Sequence, residues 1–338
     1  MTDTARRKWL LVGLPVVVLV AFLGVFPLFG GGYYSHIALL VFLNITLALG
    51  YRLLCLTGLY SFCHITFFGV GAYTSALLST KVGLPVWLCF LAAGLMAAVF
   101  STLLIVPAAR VRGVYFFLVS FGFLGVMDSV FTHWTSLTGG DAGIVGIPSL
   151  IGSGTTTQDY YVVLAFAAVT IFIMYRLEKT RFGRELMPIG NAEGLAAVSG
   201  INVLKNRVVA FGIGAAFAGF AGSLFAHDAA FIAPGNFTMW GTIYILVWLV
   251  IGGQRKMWGP IAGAVVMTLV AEFLRMSGML QALFYAAALL LAVMAMPQGF
   301  VGVVDRLRAR RARGSEGGPD EPRPEQGLSP AEAAAEQS

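Results

Sequence analysis

The stretch LPVWLCFLAAGLMAAVFSTLLIV, at residues 84–106, decides the fold, because it contains no charged residue. A helix of about 20 apolar residues satisfies all of its backbone hydrogen bonds internally and can cross the hydrocarbon core of a bilayer. The next basic residues, Arg110 and Arg112, follow shortly after the stretch, at the position where a helix meets the membrane surface. The stretch therefore predicts a transmembrane helix.

The composition of the whole chain extends this interpretation. Of its 338 residues, 58% are hydrophobic and 11% are charged, and the mean hydropathy is +0.83. These values exclude a water-soluble globular protein. The net charge of +6 does not indicate nucleic-acid binding, because the basic residues stand singly or in short clusters between apolar stretches.

Ten apolar stretches are long enough, or nearly long enough, to cross a bilayer. The first follows Arg6, Arg7 and Lys8 and resembles a signal peptide, but its length and the lack of a small-residue cleavage site favour a retained span. The predicted fold is an all-α polytopic membrane protein with about ten transmembrane or partly re-entrant helices. The predicted spans are residues 9–29, 36–51, 58–79, 84–106, 113–131, 160–175, 208–226, 240–252, 258–275 and 281–297.

The distribution of basic residues predicts the orientation. With ten alternating crossings, 20 of the 22 Lys and Arg residues fall on the side of the N-terminus, and only Lys81 and Arg275 fall on the other. Because basic residues concentrate in cytoplasmic loops, both termini are expected in the cytoplasm. The predicted organisation is a cytoplasmic N-terminus (1–8), a transmembrane domain (9–302) and a disordered cytoplasmic tail (303–338) rich in Gly, Pro and Glu.

Glycine and proline interrupt two segments on the outer side. Residues 132–159 contain no Lys or Arg, and residues 231–241 precede an unusually short apolar span. Such interruptions mark a broken helix that lines a pathway, or simply an ordinary capped loop, and the sequence leaves both open. Small residues at intervals of four, Gly259 with Gly263 and Gly214 with Ala218 and Gly222, predict faces on which helices pack closely.

The polar residues within the spans do not form a catalytic or metal-binding set. The three cysteines lie in apolar runs without metal-type spacing, and no P-loop motif occurs in the sequence. Glu272 is expected to pair with Arg275 rather than to relay protons, and His64 is expected to be a packed, hydrogen-bonded histidine or a pathway residue. The chain is therefore predicted to be a transport protein, not an enzyme, with no catalytic residue, metal or cofactor.

The longest inner loop, residues 176–207, predicts a docking element for a soluble partner. Leu195, Val198 and Ile201 recur at intervals of three, so they predict a short surface helix that ends at Gly200. A solvated loop without a partner is the alternative. The basic residues that flank the predicted helix are Arg181, Arg184, Lys205 and Arg207.

Several motifs, in the same order, resemble the permease subunits of bacterial branched-chain amino acid ABC importers of the LivM type. They cover about residues 40–302. They are SFCH (61–64) with FFGVGAYT (67–74), RVRGVYF (110–116), LTGG (137–140), RFGR (181–184), Ala196-Ala197, Gly252-Gly253, WGP (258–260) and PQGF (297–300).

The resemblance implies a multi-pass subunit of the bacterial plasma membrane that forms half of a translocation pathway. Its expected partners are a LivH-like second permease, two ATPase subunits that hydrolyse ATP, a periplasmic or lipid-anchored solute-binding protein, and membrane lipid, but no nucleic acid. The family's coupling helix, which docks on the ATPase, falls on residues 185–202. The coupling residues expected from it are Arg184, Glu193, Gly194, Ala196, Ala197 and Gly200.

The resemblance also predicts residues of the translocation pathway and a class of solute. Branched-chain or related amino acids are expected, since aromatic residues in the motifs would give an apolar pathway. A urea, amide or aromatic-acid permease of the same family remains open, as does an ion-coupled transporter. Two departures, a single carboxylate in Gly190-Asn191-Ala192-Glu193 and the insertion Gln254-Arg255-Lys256, weaken the transfer of docking details. The predicted pathway residues are His64, Phe67, Phe68, Gly71, Tyr73, Tyr115, Phe116, Thr138, Gly139 and Gly140.

Overall fold

The computed structural model describes residues 32–108, 111, 113–151, 156–254, 256–273, 283, 284 and 287. The predicted first span (9–29), the N-terminus (1–8), the tail (303–338) and Arg275 lie outside the described residues. The predicted last span (281–297) is described only at residues 283, 284 and 287, which are helical.

The described chain is almost entirely helical, which confirms the predicted all-α membrane fold. Six helical stretches of the described chain are long and apolar enough to span a membrane, and the last of them, Pro234–Gly252, includes the 3₁₀ turn Pro234–Phe237. Two strands of two residues, β1 (Ile144–Val145) and β2 (Phe231–Ile232), pair antiparallel. The helices are α1 (Gly32–Cys55), α2 (His64–Leu77), α3 (Val86–Ala108), α4 (Val114–His133), α5 (Thr135–Thr138), α6 (Thr156–Lys179), α7 (Arg181–Asn191), α8 (Glu193–Val198), α9 (Val203–Ala229), α10 (Met239–Gly252) and α11 (Trp258–Phe273).

The predicted span 58–79 is a helix only from His64 onward. Gly58 has a φ of +78°, a left-handed conformation that ends α1 and that glycine adopts without strain. The Thr57 hydroxyl donates to the Leu54 carbonyl 2.7 Å away, so it provides a partner for one of the last carbonyl groups of α1. Residues 56–63 are therefore an irregular segment between α1 and α2.

Both α2 and α10 are too short to cross a bilayer alone. Each has 14 residues, which corresponds to about 21 Å of helix against a hydrocarbon core of about 30 Å. The first residue of α2, His64, lies beside Gly50, and Gly50 packs against Gly214 of α9. Because Gly214 is near the centre of the long helix α9, α2 begins near the middle of the bundle.

The beginnings of the two short helices meet. The Thr242 hydroxyl, in the first turn of α10, donates to the Phe62 carbonyl 2.8 Å away. The same hydroxyl accepts the backbone N–H of Ile65, in the first turn of α2, at 3.3 Å. From this contact α2 and α10 run to opposite ends of the bundle, so the structure favours a broken helix over an ordinary capped loop before α10.

The two ends of the bundle differ in charge. Arg52, in the last turn of α1, donates to Glu178 of α6 at 2.6 Å and to the Gln254 carbonyl after α10 at 2.8 Å. We call this the basic end, since Lys179, Arg181, Arg184 and Lys205 also lie there. Lys81 lies at the opposite end, where it donates to the carbonyls of Ser136 and Leu137.

Small residues bring the central helices into close contact, as their spacing predicts. A Cβ atom at Gly222 of α9 would lie 2.0 Å from the Phe68 carbonyl oxygen of α2. A Cβ atom at Gly263 of α11 would lie 2.0 Å from the Trp248 carbonyl oxygen of α10. The glycine faces therefore pack within this chain, and they hold each short helix against a longer neighbour.

This packing predicts that Gly222→Ala destabilises the protein. The added methyl group overlaps the α2 backbone, and overpacking of this kind costs about 1–3 kcal/mol. We expect the apparent melting temperature in detergent to fall by about 2–5 °C. Gly212→Ala, on the same helix, is the matched control because nothing lies within 4 Å of a Cβ atom there. Equal melting temperatures for the two variants would contradict the close contact of α2 and α9.

Candidate functional site

A pair of short helices, α7 and α8, projects at the basic end. The Thr180 hydroxyl caps α7 by accepting the Gly183 N–H. After α8, Gly200 has a φ of +80°, the left-handed conformation typical of the residue after a helix C-terminus. The predicted short helix that ends at Gly200 is confirmed, within a loop that the structure divides into two helices.

Side-chain hydrogen bonds hold this helix pair to the beginning of α9. Arg207 is buried and donates two hydrogen bonds to the carboxylate of Glu193, the first residue of α8, at 3.2 and 3.1 Å. Glu185 of α7 accepts from Arg181 at 2.8 Å and from Asn206 at 3.0 Å. These two hydrogen bonds lower the pKa of the Glu185 carboxyl below its usual value, so this anchor is ionised at neutral pH.

Two apolar side chains of α8 face away from the protein. Leu195 is 73% exposed and Val198 is 89% exposed, and their spacing of three residues places them on one helix face. Between them Ala196 is buried against the protein. The two side chains together form a small apolar surface that no other described part of the chain covers. We call Leu195 and Val198 the α8 apolar face.

The predicted coupling residues surround this face, but none of them belongs to it. Arg184 is exposed, and its guanidinium donates to the Lys179 carbonyl at 2.7 Å. Glu193 is engaged by Arg207, and Ala196 points inward. The remaining predicted residues are exposed, and they are Gly194, Ala197 and Gly200.

The predicted pathway residues of α2 lie in the protein core. Phe67 is fully buried, and the ring of Tyr73 stacks on Phe131 with centroids 4.6 Å apart. Gly71 lies against the backbone of Gly219. These side chains pack helices together, and of all the predicted pathway residues only Phe68 lines the membrane cavity described below.

His64 is packed, but it lacks the predicted hydrogen bonds. Its ring is fully buried, with its centroid 5.3 Å from that of Tyr51. Neither ring nitrogen forms a hydrogen bond with the residues that the structure describes, although the backbone of Leu47 faces the ring. The histidine therefore fills space at the beginning of α2, where its ring packs between Tyr51 and the Leu47 backbone of α1.

The other predicted pathway residues lie on different parts of the molecule. Tyr115 is 71% exposed on the surface of α4, whereas the neighbouring Phe116 is buried against Phe211. Thr138 ends α5 at the opposite end, where its hydroxyl donates to the Phe131 carbonyl at 2.8 Å. Gly139 and Gly140 follow with positive φ in a turn. The ten predicted residues do not line one cavity.

A cavity of about 260 Å³ lies between α1, α2, α10 and α11. Ile65 and Gly241 line it where the two short helices meet, so it reaches the middle of the bundle. The Asn44 side-chain amide donates to the Thr268 hydroxyl at 2.9 Å within this lining. We call this the polar cavity because polar side chains line part of it, among them Asn44, Asn236, Thr268 and Glu272.

The sequence contained a signal for this cavity. Asn44 and Thr268 are polar residues within apolar spans, and such residues are costly in a membrane unless they have a partner or a function. Glu272 accepts a hydrogen bond from the Tyr33 hydroxyl at 2.8 Å. The predicted partner of Glu272, Arg275, lies outside the described residues.

The described residues do not provide a metal centre. They contain no group of three or more His, Cys, Asp or Glu side chains that could hold a metal ion. Cys55, Cys63 and Cys89 are buried and form no disulfide.

Comparisons with known proteins agree on one family. The family model described as "Branched-chain amino acid transport system / permease component" matches residues 33–296. The protein named "High-affinity branched-chain amino acid transport system permease protein LivM" of Escherichia coli (strain K12) is 30% identical, over 88% of this chain and 76% of the relative. The protein of the same name of Salmonella typhimurium is 28% identical, over 93% and 80%. No solved structure matches the chain.

The geometry at the basic end predicts that Arg207→Gln loosens α8. The change removes the charged hydrogen bonds to Glu193, which are worth about 1–3 kcal/mol. We expect backbone amides of residues 194–200 to exchange with deuterium about tenfold faster. Arg181→Gln is the control, because Arg181 forms a surface pair worth no more than about 1 kcal/mol. If the amides of residues 194–200 exchange at the same rate in both variants, Arg207 does not anchor α8.

Proposed function

The chain belongs to the family of branched-chain amino acid transport system permease components, and we propose that it forms half of the translocation pathway of such an importer. As a member of this family it is a permease subunit of an ABC importer in the bacterial inner membrane, and not an enzyme. Its long apolar helices fit a multi-pass location. The finer assignments below concern its coupling to ATP hydrolysis, its partners and its solute.

The α8 apolar face is the observation that carries the coupling proposal. A cytoplasmic ATPase subunit binds Leu195 and Val198 in a cleft on its surface, and the inner loop 176–207 serves as the coupling loop. Burial of two such side chains is worth about 1.5–3 kcal/mol each relative to their exposure. The charged residues around the face then form the polar rim of the contact.

The packing of α9 supports transmission of force from this face into the membrane. Arg207 ties α8 to the first turns of α9, and α9 continues through the bundle to its contact with α2 at Gly222. Because packed helices move as rigid bodies, a displacement of α8 by the ATPase shifts α9 and the beginning of α2 together. The beginning of α2 is in turn bonded to α10 through Thr242.

The remaining partners follow from the same proposal. A second, LivH-like permease completes the pathway, a second ATPase subunit serves that permease, and an external solute-binding protein delivers the solute. Large apolar side chains of α3 and α4 are exposed over the length of these helices, among them Leu91, Leu95, Leu103 and Val126. Such surfaces require lipid or another membrane helix as a neighbour.

The solute is proposed from the two relatives and from the polar cavity. Both relatives carry names that assign them to branched-chain amino acid transport. The polar cavity combines a carboxylate, amides and a hydroxyl with apolar residues such as Leu43 and Ile245. This combination suits an amino acid with an apolar side chain better than it suits urea or an aromatic acid without an amino group.

Disruption of the α8 apolar face should uncouple the permease. We expect Leu195→Asp and Val198→Asp to reduce co-purification of the ATPase subunit at least about tenfold, because each places a charge where an apolar contact is needed. Leucine uptake should fall in parallel, while the amount of permease in the membrane stays unchanged. Co-purification and radiolabelled uptake in cells that express the full transporter measure both effects.

A matched control uses the same substitution at the opposite end. Val145 is 71% exposed on β1, so Val145→Asp should leave ATPase co-purification at the wild-type level. If uptake continues in a strain without the ATPase subunits, the protein does not act in an ABC importer, and an ion-coupled transporter is favoured.

Competition experiments distinguish the possible solutes. If branched-chain amino acids are the cargo, a hundredfold excess of unlabelled isoleucine or valine should suppress leucine uptake by at least about 90%, because the solutes share one pathway. Urea, acetamide and phenylacetate at the same excess should have little effect. If any of these three compounds suppressed leucine uptake more strongly than isoleucine and valine do, the transporter would be assigned to that class of solute.

A further inference from the structure

We propose that a polar cluster at the basic end is an inner latch, which must open each time the transporter imports a solute. The inner latch consists of Arg52 in α1, Tyr60 in the irregular segment 56–63, Glu178 in the last turn of α6, and Gln254 after α10. This inference rests on the proposed coupling to an ATPase, and it names the contacts that the coupling loop must release.

Arg52 is the centre of the inner latch. Its side chain is buried, and its guanidinium donates to the Glu178 carboxylate at 2.6 Å and to the Gln254 carbonyl at 2.8 Å. A buried guanidinium has lost its hydration, so it depends on such acceptors staying in place. One side chain therefore holds together the end of α1, the end of α6 and the turn between α10 and α11.

Gln254 also contacts the irregular segment 56–63. The Tyr60 hydroxyl donates to the side-chain oxygen of Gln254 at 3.2 Å and accepts from its side-chain nitrogen at 3.1 Å. Tyr60 is 44% exposed, so water competes for these two hydrogen bonds. The inner latch thus combines a buried contact that carries charge with a neutral contact that opens more easily.

The irregular segment 56–63 is joined to α10 and the turn after it at two depths. The Thr242 hydroxyl holds the Phe62 carbonyl in the middle of the bundle, and Gln254 holds Tyr60 at the basic end. The two contacts bracket the half of the bundle that faces the cytoplasm. Release of Gln254 therefore lets the segment swing away from the α10–α11 turn, with Thr242 as the hinge.

Helix α7 lies directly on the inner latch. A Cβ atom at Gly183, near its beginning, would lie 2.6 Å from the Glu178 Cα atom. A Cβ atom at Gly190, near its end, would lie 2.5 Å from the Leu56 carbonyl oxygen. Because Leu186, between these two contacts, is fully buried, α7 is fixed against α6 and the segment 56–63 at once. An ATPase that displaces α7 and α8 therefore loads both sides of the inner latch.

The alternative is a permanent tie that only stabilises the basic end. The types of contact along the path favour a latch. Gly222 packs its backbone against Phe68, and such close packing leaves no second arrangement without a large rearrangement. The inner latch is held by a few polar groups at the cytoplasmic surface, where water can replace each partner. It is therefore the place at which the basic end can separate.

A reversible cross-link tests whether the inner latch must open. Tyr60→Cys and Gln254→Cys are introduced together into a chain whose native cysteines are replaced by alanine, and the complete transporter is reconstituted in vesicles with its binding protein. A bis-methanethiosulfonate cross-linker should reduce ATP-dependent leucine uptake at least tenfold, because it holds the segment 56–63 against the α10–α11 turn. A reducing agent should restore uptake. The cysteine-free parent, treated in the same way, controls for other effects of the reagent.

A substitution in the otherwise native chain tests the inner latch without cross-linking. Gln254→Leu removes the side-chain bonds to Tyr60 but keeps the backbone carbonyl that accepts from Arg52. A weaker latch shifts the population toward the open state, so ATP hydrolysis without the binding protein should rise at least threefold. A permanent tie would instead lower hydrolysis together with the melting temperature. Thr102→Val is the control, because the Thr102 hydroxyl bonds within its own helix, to the Ala98 carbonyl.

The outcomes separate the inner latch from the proposed function. If the cross-linked transporter imports leucine as fast as the reduced one, the inner latch does not open during import and the inference is wrong. Unchanged or lower ATP hydrolysis in a folded Gln254→Leu transporter also overturns it. Absence of ATP-dependent leucine uptake by the wild-type transporter, with its binding protein present, instead overturns the proposed function.

Discussion

A backbone that begins a helix in the middle of a bilayer must find hydrogen-bond partners there, and the rest of this structure depends on how it does so. Water is absent at that depth, and an unpaired peptide group costs several kcal/mol. Three hydroxyl groups provide the partners. The Ser120 hydroxyl accepts the N–H of Phe62, and the Ser61 hydroxyl accepts the N–H of Cys63. The Thr242 hydroxyl donates to the Phe62 carbonyl and accepts the Ile65 N–H. The irregular segment 56–63 is stable because these side chains replace the missing helical bonds.

This solution connects elements that are far apart in the sequence. Thr242 joins the beginnings of α2 and α10, so a displacement of one short helix strains its contact with the other. Gly222 holds α2 against α9, and Arg207 holds α9 against α8. A continuous path of rigid helices and short contacts therefore runs from the α8 apolar face at the basic end to the middle of the membrane. In a densely packed interior such a path transmits displacement with little loss.

Among the described residues, the sequence predicted the spans well and the break within them poorly, for one physical reason. Hydropathy measures whether a segment tolerates lipid, and segment 56–63 is itself apolar, so the predicted span 58–79 ran across it. Gly58 was the local signal of a helix end, but only its contacts with α7 show that the chain turns there. Before α10, by contrast, Pro234 and Gly235 interrupt the pattern visibly, and a broken helix was foreseen as one of two possibilities.

The candidate site was harder to predict because residues of the family motifs can be required for helix packing and not only for contact with a solute. Phe67, Gly71 and Tyr73 occur in a motif because α2 must fit closely among its neighbours, and the structure places them in the core. Asn44 and Thr268 belong to none of the motifs, and only the fold brings them together from positions 224 residues apart.

A zwitterion that leaves water loses hydration that a bilayer cannot replace, so a pathway through the membrane must supply compensating charge at the depth where hydration is lost. The chain has few charged groups within its spans, and a helix beginning offers positive potential there without a basic side chain. Breaking two helices at the same depth therefore serves two purposes. It places two helix N-termini at the depth where hydration is lost, and it joins α2 to α10 there through Thr242.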